Sequence, residues 1–170
     1  MKEHKGIRPQ DIVILLKIIL LEDLNWHLKD VAEQLNISNS EVSESVNRSL
    51  ISGLIEDDKR LVKKEALREF LVYGVQYVFP ALEGRLMRGM PTAFSASVLS
   101  EAFVVEDPYI WPVKGYSNKG ISINPLYHTV PGACKEDERL YDLLALTDAL
   151  RMGAKSNVII KLLSQKMGIS

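Results

Sequence analysis

The chain has 170 residues, 46% of them hydrophobic and 25% charged, a balance that suits a globular protein with a real core. Its net charge is −1 and its pI about 6.3, which excludes a strongly basic surface, so any nucleic-acid contact must come from a local patch. A single cysteine, Cys134, excludes an internal disulfide and a multi-cysteine zinc site, and it fits a reducing cytoplasm.

The most apolar run, IVILLKIILL at 12–21, is too short to span a bilayer, which needs roughly 20 apolar residues, and Lys17 interrupts it. It lacks a small-residue cleavage site, so it does not read as a signal peptide. It predicts a first helix over 8–23, with Pro9 tolerated near the start. Apolar on nearly every face, this helix is expected in the core and against a partner subunit. LNWH connects it to a second helix over 28–35, with Val31, Ala32 and Leu35 on one face. NIS turns the chain into a third helix over 39–52, whose Val42, Val46 and Leu50 repeat along a buried side and which Gly53 ends. LIEDDKRLVK reads as a hairpin with strands at 54–55 and 61–62 and a charged tip. Three helices and a small hairpin predict a winged helix-turn-helix.

The turn carries the residues that such a motif needs. Ala32 is small where the two helices cross, Asn36 tolerates a left-handed backbone, and Ile37 is an apolar plug. Ser38 and Glu41 match the Ser-x-x-Glu capping box, so the Glu41 carboxylate is expected to return to the Ser38 amide. With Val42, Val46 and Leu50 inward, Ser40, Glu44, Asn47 and Arg48 fall on the outer side. Ile51 follows in the last turn, where the hairpin or a neighbouring segment is expected to cover it. Arg48 suits a guanine edge or a phosphate, Asn47 an adenine, and Glu44 a cytosine amino group; a merely solvated Glu44 is an equal alternative. Phosphate contacts are expected from Lys59 and Arg60 at the wing, Lys63 and Lys64 after it, and Lys2, Lys5 and Arg8 before the first helix. Asp57 and Asp58 oppose them. The expectation is modest, strongly salt-dependent binding to double-stranded DNA, doubled by homodimerisation.

A fourth helix is expected over 64–79, with Leu67, Phe70, Leu71, Gly74, Val75 and Val78 on one stripe and Pro80 as its stop. From 82 to 134 five prolines break the pattern, yet Phe94, Phe103, Tyr109, Trp111, Tyr116 and Tyr127 are too many aromatics for disorder. This segment predicts an ordered, loop-rich layer with short strands near 109–113 and 120–123 and a turn at YSNKG. Phe94, Trp111 and Tyr127 should pack on the fourth and fifth helices. The fifth helix is expected over 136–152, and Ser156 should cap a last helix reaching 167. The fold class is thus mainly α with small β: a winged helix-turn-helix with its following helix at 1–79, then the loop-rich layer and a C-terminal helical hairpin at 80–170.

LKDVAEQLNISNSEVSESVNRSLISGLI, LREFLVYGVQYVFPALEGRLMRGMPTAFSA, IWPVKGYSNKGISINPLYHTVP and LYDLLALTDALRMG together resemble a bacterial group of small winged-helix proteins labelled MarR-like transcriptional regulators. The resemblance spans nearly the whole chain, and its last three segments are more specific than the helix-turn-helix. It implies a winged-helix regulator with a C-terminal lobe, without supplying a ligand or target. Relatives tend to follow DALR with an Arg/Glu-rich run, where this chain has Ala154, Lys155, Ser156 and Asn157.

Other residue groupings carry less. Asp148 and Arg151, one helical turn apart, predict a local salt bridge orienting the last two helices. His4, His27 and His128 are scattered and show no metal-ligand spacing. GRLMRGMPTAFSAS fits neither a P-loop nor G-x-S-x-G. Arg85, Arg88, Trp111, Lys114, Lys119 and Tyr127 form a candidate anion pocket, although arginines lying over aromatic surface and tying loop carbonyls are the preferred reading. Cys134 is expected to be a small buried or semi-buried residue in preference to a nucleophile. No catalytic, cofactor-binding or metal residue is expected. The preferred function is a non-enzymatic, cytoplasmic, dimeric DNA-binding regulator, with a small-molecule or protein effector at the C-terminal lobe. The acidic third helix and near-zero net charge favour the alternative, a winged-helix protein-interaction module such as an antitoxin-like partner.

Overall fold

A computed structural model of the chain describes residues 6–170. The phosphate candidates Lys2 and Lys5, and His4, lie outside the described residues. The protein is mainly helical with one small three-stranded sheet.

Two helices form its centre. The first, α1 (Pro9–Leu21), is buried from Asp11 to Leu20. The other, α7 (Glu138–Arg151), is buried on almost every side, and the two pack together. Full burial of α1 corrects the expectation that it also serves a partner subunit. Within a single chain Ile12 to Leu16 are already wholly inaccessible, so this helix has no apolar face left to offer. Lys17 is buried too, and its ammonium ends 2.6 Å from Asp137 Oδ2 at the start of α7. The pair lets a charge sit inside the helix–helix contact.

Against α1 pack α2 (Leu28–Leu35) and α3 (Asn39–Ile51). Their connection follows the local signals in the sequence. Asn36 has φ 53, Ile37 is buried, and the Ser38 hydroxyl accepts from the Glu41 amide. Beyond α3 the chain forms a short antiparallel bridge between Ile55 and Val62. The Glu56 amide donates to the Leu61 carbonyl at 2.8 Å, and that of Lys63 to Leu54 at 2.9 Å. The expected hairpin is therefore present, with its tip at Asp57–Arg60 and Lys59 at φ 57.

The expected fourth helix is two: α4 (Lys64–Tyr73) and α5 (Val75–Val78), broken at Gly74, where φ is −117. Glycine is a weak helix former, and here it permits the break. The loop-rich layer is ordered and holds more regular structure than expected. β1 (Glu83–Pro91) was not legible as a strand, because two glycines and a proline interrupt it. It runs antiparallel to both β2 (Tyr109–Pro112) and β3 (Lys119–Ile123), and these two pair in parallel, closing a minimal barrel. YSNKG therefore does not fold β3 back as a hairpin partner of β2. So tight a closure leaves no interior room. A Cβ on Gly89 would lie 1.9 Å from the Trp111 carbonyl oxygen, and one on Gly120 2.2 Å from that of Pro108. Both positions must be glycine for the strands to meet.

A helix missed within the expected irregular layer, α6 (Val130–Lys135), precedes α7, and α8 (Asn157–Lys166) follows it, with the Ser156 hydroxyl accepting from Ile159. Trp111 is buried against α7: its indole donates to Asp148 Oδ2 at 2.6 Å and meets Tyr141 edge-on. Phe94, on a 3-10 turn against α7, packs edge-on with Phe103. Tyr127 lies against the His128 ring. The Asp148–Arg151 salt bridge forms at 2.6 Å, but it does not orient α7 against α8. Asp148 also accepts from Thr92, while Arg151 donates to the carbonyls of Phe79 and Asn124. The pair thus fastens the sheet layer and the end of α5 onto α7. The core joins residues from Ile12 to Met167 in one cluster.

Candidate nucleic-acid interface

The outer side of α3, the start of α2 and the hairpin tip enclose an open groove of about 630 Å³. Its floor is Trp26, whose ring is buried. Trp26 Nε1 donates to the Arg60 carbonyl at 3.1 Å, the Arg60 guanidinium returns a hydrogen bond to the Trp26 carbonyl, and its carbon lies 5.2 Å from the ring centroid. Three contacts thus fix the hairpin tip to Trp26, two residues before α2, and cation–π stacking holds a charge there without neutralising it.

The other wall is α3. Asn39, Ser43 and Asn47 line the groove, and Lys59 Nζ donates to Asn47 Oδ1 at 2.7 Å. An ammonium has three donors, so Lys59 retains two for a ligand, and the Asn47 amide nitrogen is likewise uncommitted by this bond. Lys29 enters from the first turn of α2. Ser40 and Glu44 are exposed further out on α3, with Ser40 Oγ 3.1 Å from Ser38 Oγ. Lys63 stands outside the groove, 3.5 Å from Glu56. Of the opposing acids, Asp58 is exposed and lines the same groove, where it accepts from the Arg60 amide.

Arg48 is the main correction. Expected on the exposed face of α3, it is folded against α1 with only 11% of its side chain exposed. It donates through Nε and Nη2 to Asp11, which is fully buried, and through Nη2 to Glu41 at 2.7 Å. The hydrogen bond to Asp11 is the largest of the effects that hold the guanidinium above its already high ordinary pKa. Glu41 is corrected with it. Its carboxylate does not return to the Ser38 amide but accepts from Arg48 and from Gln10 Nε2. Burial alone would push that carboxyl up, and these donors hold it below its usual range. Ile51, expected under cover, is 63% exposed.

The candidate anion pocket of the C-terminal lobe does not assemble, because Trp111 is buried on Asp148. Arg85 and Arg88 stay on the exposed surface of β1. Among the described residues neither lies over an aromatic ring. Cys134 is buried, and burial pushes its thiol well above the ordinary value, which suppresses the nucleophilic thiolate. Among the described residues no group of three His, Cys, Asp or Glu side chains is placed to hold a metal ion, and no helix is long and apolar enough to cross a membrane.

Of the predicted contacts, the structure gathers Asn47, Lys59 and Arg60 on one groove, leaves Ser40 and Glu44 beside it, and withdraws Arg48. Sequence reasoning missed Trp26, Lys29 and Ser43. Trp26 and Lys29 carried no local signal, since only the fold brings the start of α2 to the hairpin. No family model matches this chain, nor does any curated protein or solved structure.

Proposed function

We propose that this protein is a non-enzymatic winged-helix DNA-binding regulator, working in the cytoplasm, that grips duplex DNA in the groove between α3 and the hairpin. The observation that carries this reading is the convergence of Lys29, Lys59 and Arg60, against the single carboxylate of Asp58, on one groove walled by the carboxamides and hydroxyl of α3. In a chain of net charge −1, such local clustering is what phosphate attraction requires. Asn47 and Glu44 are the base-reading candidates, Asn47 toward adenine and Glu44 toward a cytosine amino group, with Ser40 and Ser43 beside them. Arg48 acts as a strut that sets the angle of α3 on α1, and it leaves the contact set.

Withdrawal of Arg48 also favours a second reading. The outer face of α3 then has no cation of its own, and Glu44 is exposed, as a surface for a basic protein partner would be. Selection of duplexes from a random-sequence pool separates the two. The DNA reading expects an enriched sequence whose preference is relaxed at one position by Asn47→Ala. No enrichment even at low salt would leave the protein-interaction reading standing.

A further inference from the structure

The two halves of the chain meet at a polar cleft of about 530 Å³, and we infer that this cleft binds a free α-amino acid. The inference goes beyond the DNA reading and does not depend on it. α2 lines the cleft with Glu33 and Asn36, α6 and the turn into α7 line it with Gly132, Glu136 and Asp137, and α1 contributes Lys17. α2 and α6 pack together beside it. The cleft shares no residue with the groove between α3 and the hairpin, nor with the arginine-rich pocket expected in the C-terminal lobe. Asn36 makes the left-handed turn into α3, so an occupant rests on the joint that places that helix.

Lys17 sets the chemistry. Its side chain is only 7% exposed, yet it lines the cleft. The bond to Asp137 Oδ2 uses one of the three N–H donors of its ammonium. A buried ammonium with donors to spare is costly unless a further acceptor reaches it. Asp137 is already committed, since its Oδ1 accepts from the Leu140 amide. Arg139 adds a second cation to the lining, its guanidinium held by Glu22 and the Leu20 carbonyl. The opposite charge comes from Glu33 and Glu136, one on each wall. Both are exposed, and neither forms an ion pair among the described residues. A simple anion would face these carboxylates, and a simple cation would face Lys17 and Arg139. A zwitterion answers both: its carboxylate accepts from Lys17, and its ammonium turns toward Glu33 and Glu136. Leu20 and Leu21 add apolar lining for a side chain. The volume falls within the roughly 300–1,000 Å³ of small-molecule sites.

The test adds each proteinogenic amino acid alone, at millimolar concentration, to the full chain. Thermal melts detect binding and calorimetry measures affinity. Propionate and propylamine, which carry one charge each, serve as half-molecules. Gly132 is exposed on the cleft, and a Cβ added there meets nothing within 4 Å, so Gly132→Phe fills the cleft without crowding its neighbours. The expected result is that at least one amino acid raises the melting temperature by binding the native state, and that neither half-molecule does. Gly132→Phe abolishes the rise, and the Glu33→Gln/Glu136→Gln double variant weakens affinity about tenfold or more. No response to any amino acid overturns the inference, as does an equal response to a half-molecule or undiminished binding by folded Gly132→Phe. Should Gly132→Phe misfold, the double variant at two exposed positions decides, and unchanged affinity there overturns the site. These titrations contain no DNA, so their failure removes only this inference, and a chain that binds an amino acid but no duplex removes only the other.

Discussion

Arg48 of α3 grips Asp11 of α1 through two hydrogen bonds, Nε to Oδ2 at 2.9 Å and Nη2 to Oδ1 at 2.7 Å. Asp11 is wholly buried, and its other hydrogen bond, from the Arg8 amide to Oδ2, holds the first turn of α1. One carboxylate thus fixes both the start of the central helix and the tilt of α3.

Arg48→Ala is therefore expected to act on stability first. It strands a buried carboxylate, which costs about 3–5 kcal/mol. Chemical denaturation checks this. A midpoint equal to that of the wild type would return Arg48 to the exposed face.

Trp111 carries a similar weight in the second half of the chain. Trp111→Phe keeps most of the buried volume but removes the donor to Asp148, and a loss of about 1–3 kcal/mol is expected for leaving that group short of a partner. Trp111→Ala adds a cavity and should cost about 3–5 kcal/mol. Thermal melts of the two variants should fall in that order.

Gly89→Ala and Gly120→Ala are expected to disrupt the small barrel, since each added methyl would overlap a backbone carbonyl oxygen. Backbone has little freedom to retreat, so the loss should reach at least about 3 kcal/mol. Hydrogen exchange should show the amides of β1 and β3 opening before those of α1. Unchanged protection in the sheet would contradict the closure.

Asp137 gives a pH dependence. Burial pushes its carboxyl up, but the Lys17 ion pair and the Leu140 amide outweigh this and hold it below the ordinary 3.8. The folded value is depressed, so its stabilisation is complete above the unfolded value and is lost as pH falls through the folded one. Asp137→Asn keeps the helix cap and removes the charge opposite buried Lys17. It should cost roughly 3 kcal/mol at neutral pH. The gap from wild type should close as pH drops below about 4; a constant gap would show that the charge is not its source.

Much of the helical framework was legible because its signals are local. Asn36, Ile37 and Ser38 specify the turn between α2 and α3 from neighbouring residues, and Ser156 does the same for α8. What the sequence concealed depends on distant partners. The periodicity of α3 puts Arg48 outside, and only the arrival of Asp11, 37 residues earlier, turns that position into a contact with α1. A carboxylate in the first turn of an otherwise apolar helix was the available hint, since a buried acid needs a partner. The largely apolar α1 suggested a partner subunit because its cover, α7, lies far along the chain. β1 hides its strand character behind Gly84, Gly89 and Pro91, and Gly89 is explained only by the carbonyl that approaches it. In the candidate groove, Asn47, Lys59 and Arg60 could be read from the motif. Lys29 and Trp26 could not, because what joins them to the hairpin is packing.

The central claim is tested most directly by the salt dependence of binding to a short mixed-sequence duplex, followed by fluorescence anisotropy for the wild type and a Lys59→Ala/Arg60→Ala double variant. The account predicts that wild-type affinity falls linearly on logarithmic axes as salt rises, and that the folded double variant binds more weakly with a slope shallower by about 2. No binding by the wild type at low salt, or an identical slope for the folded variant, would contradict it.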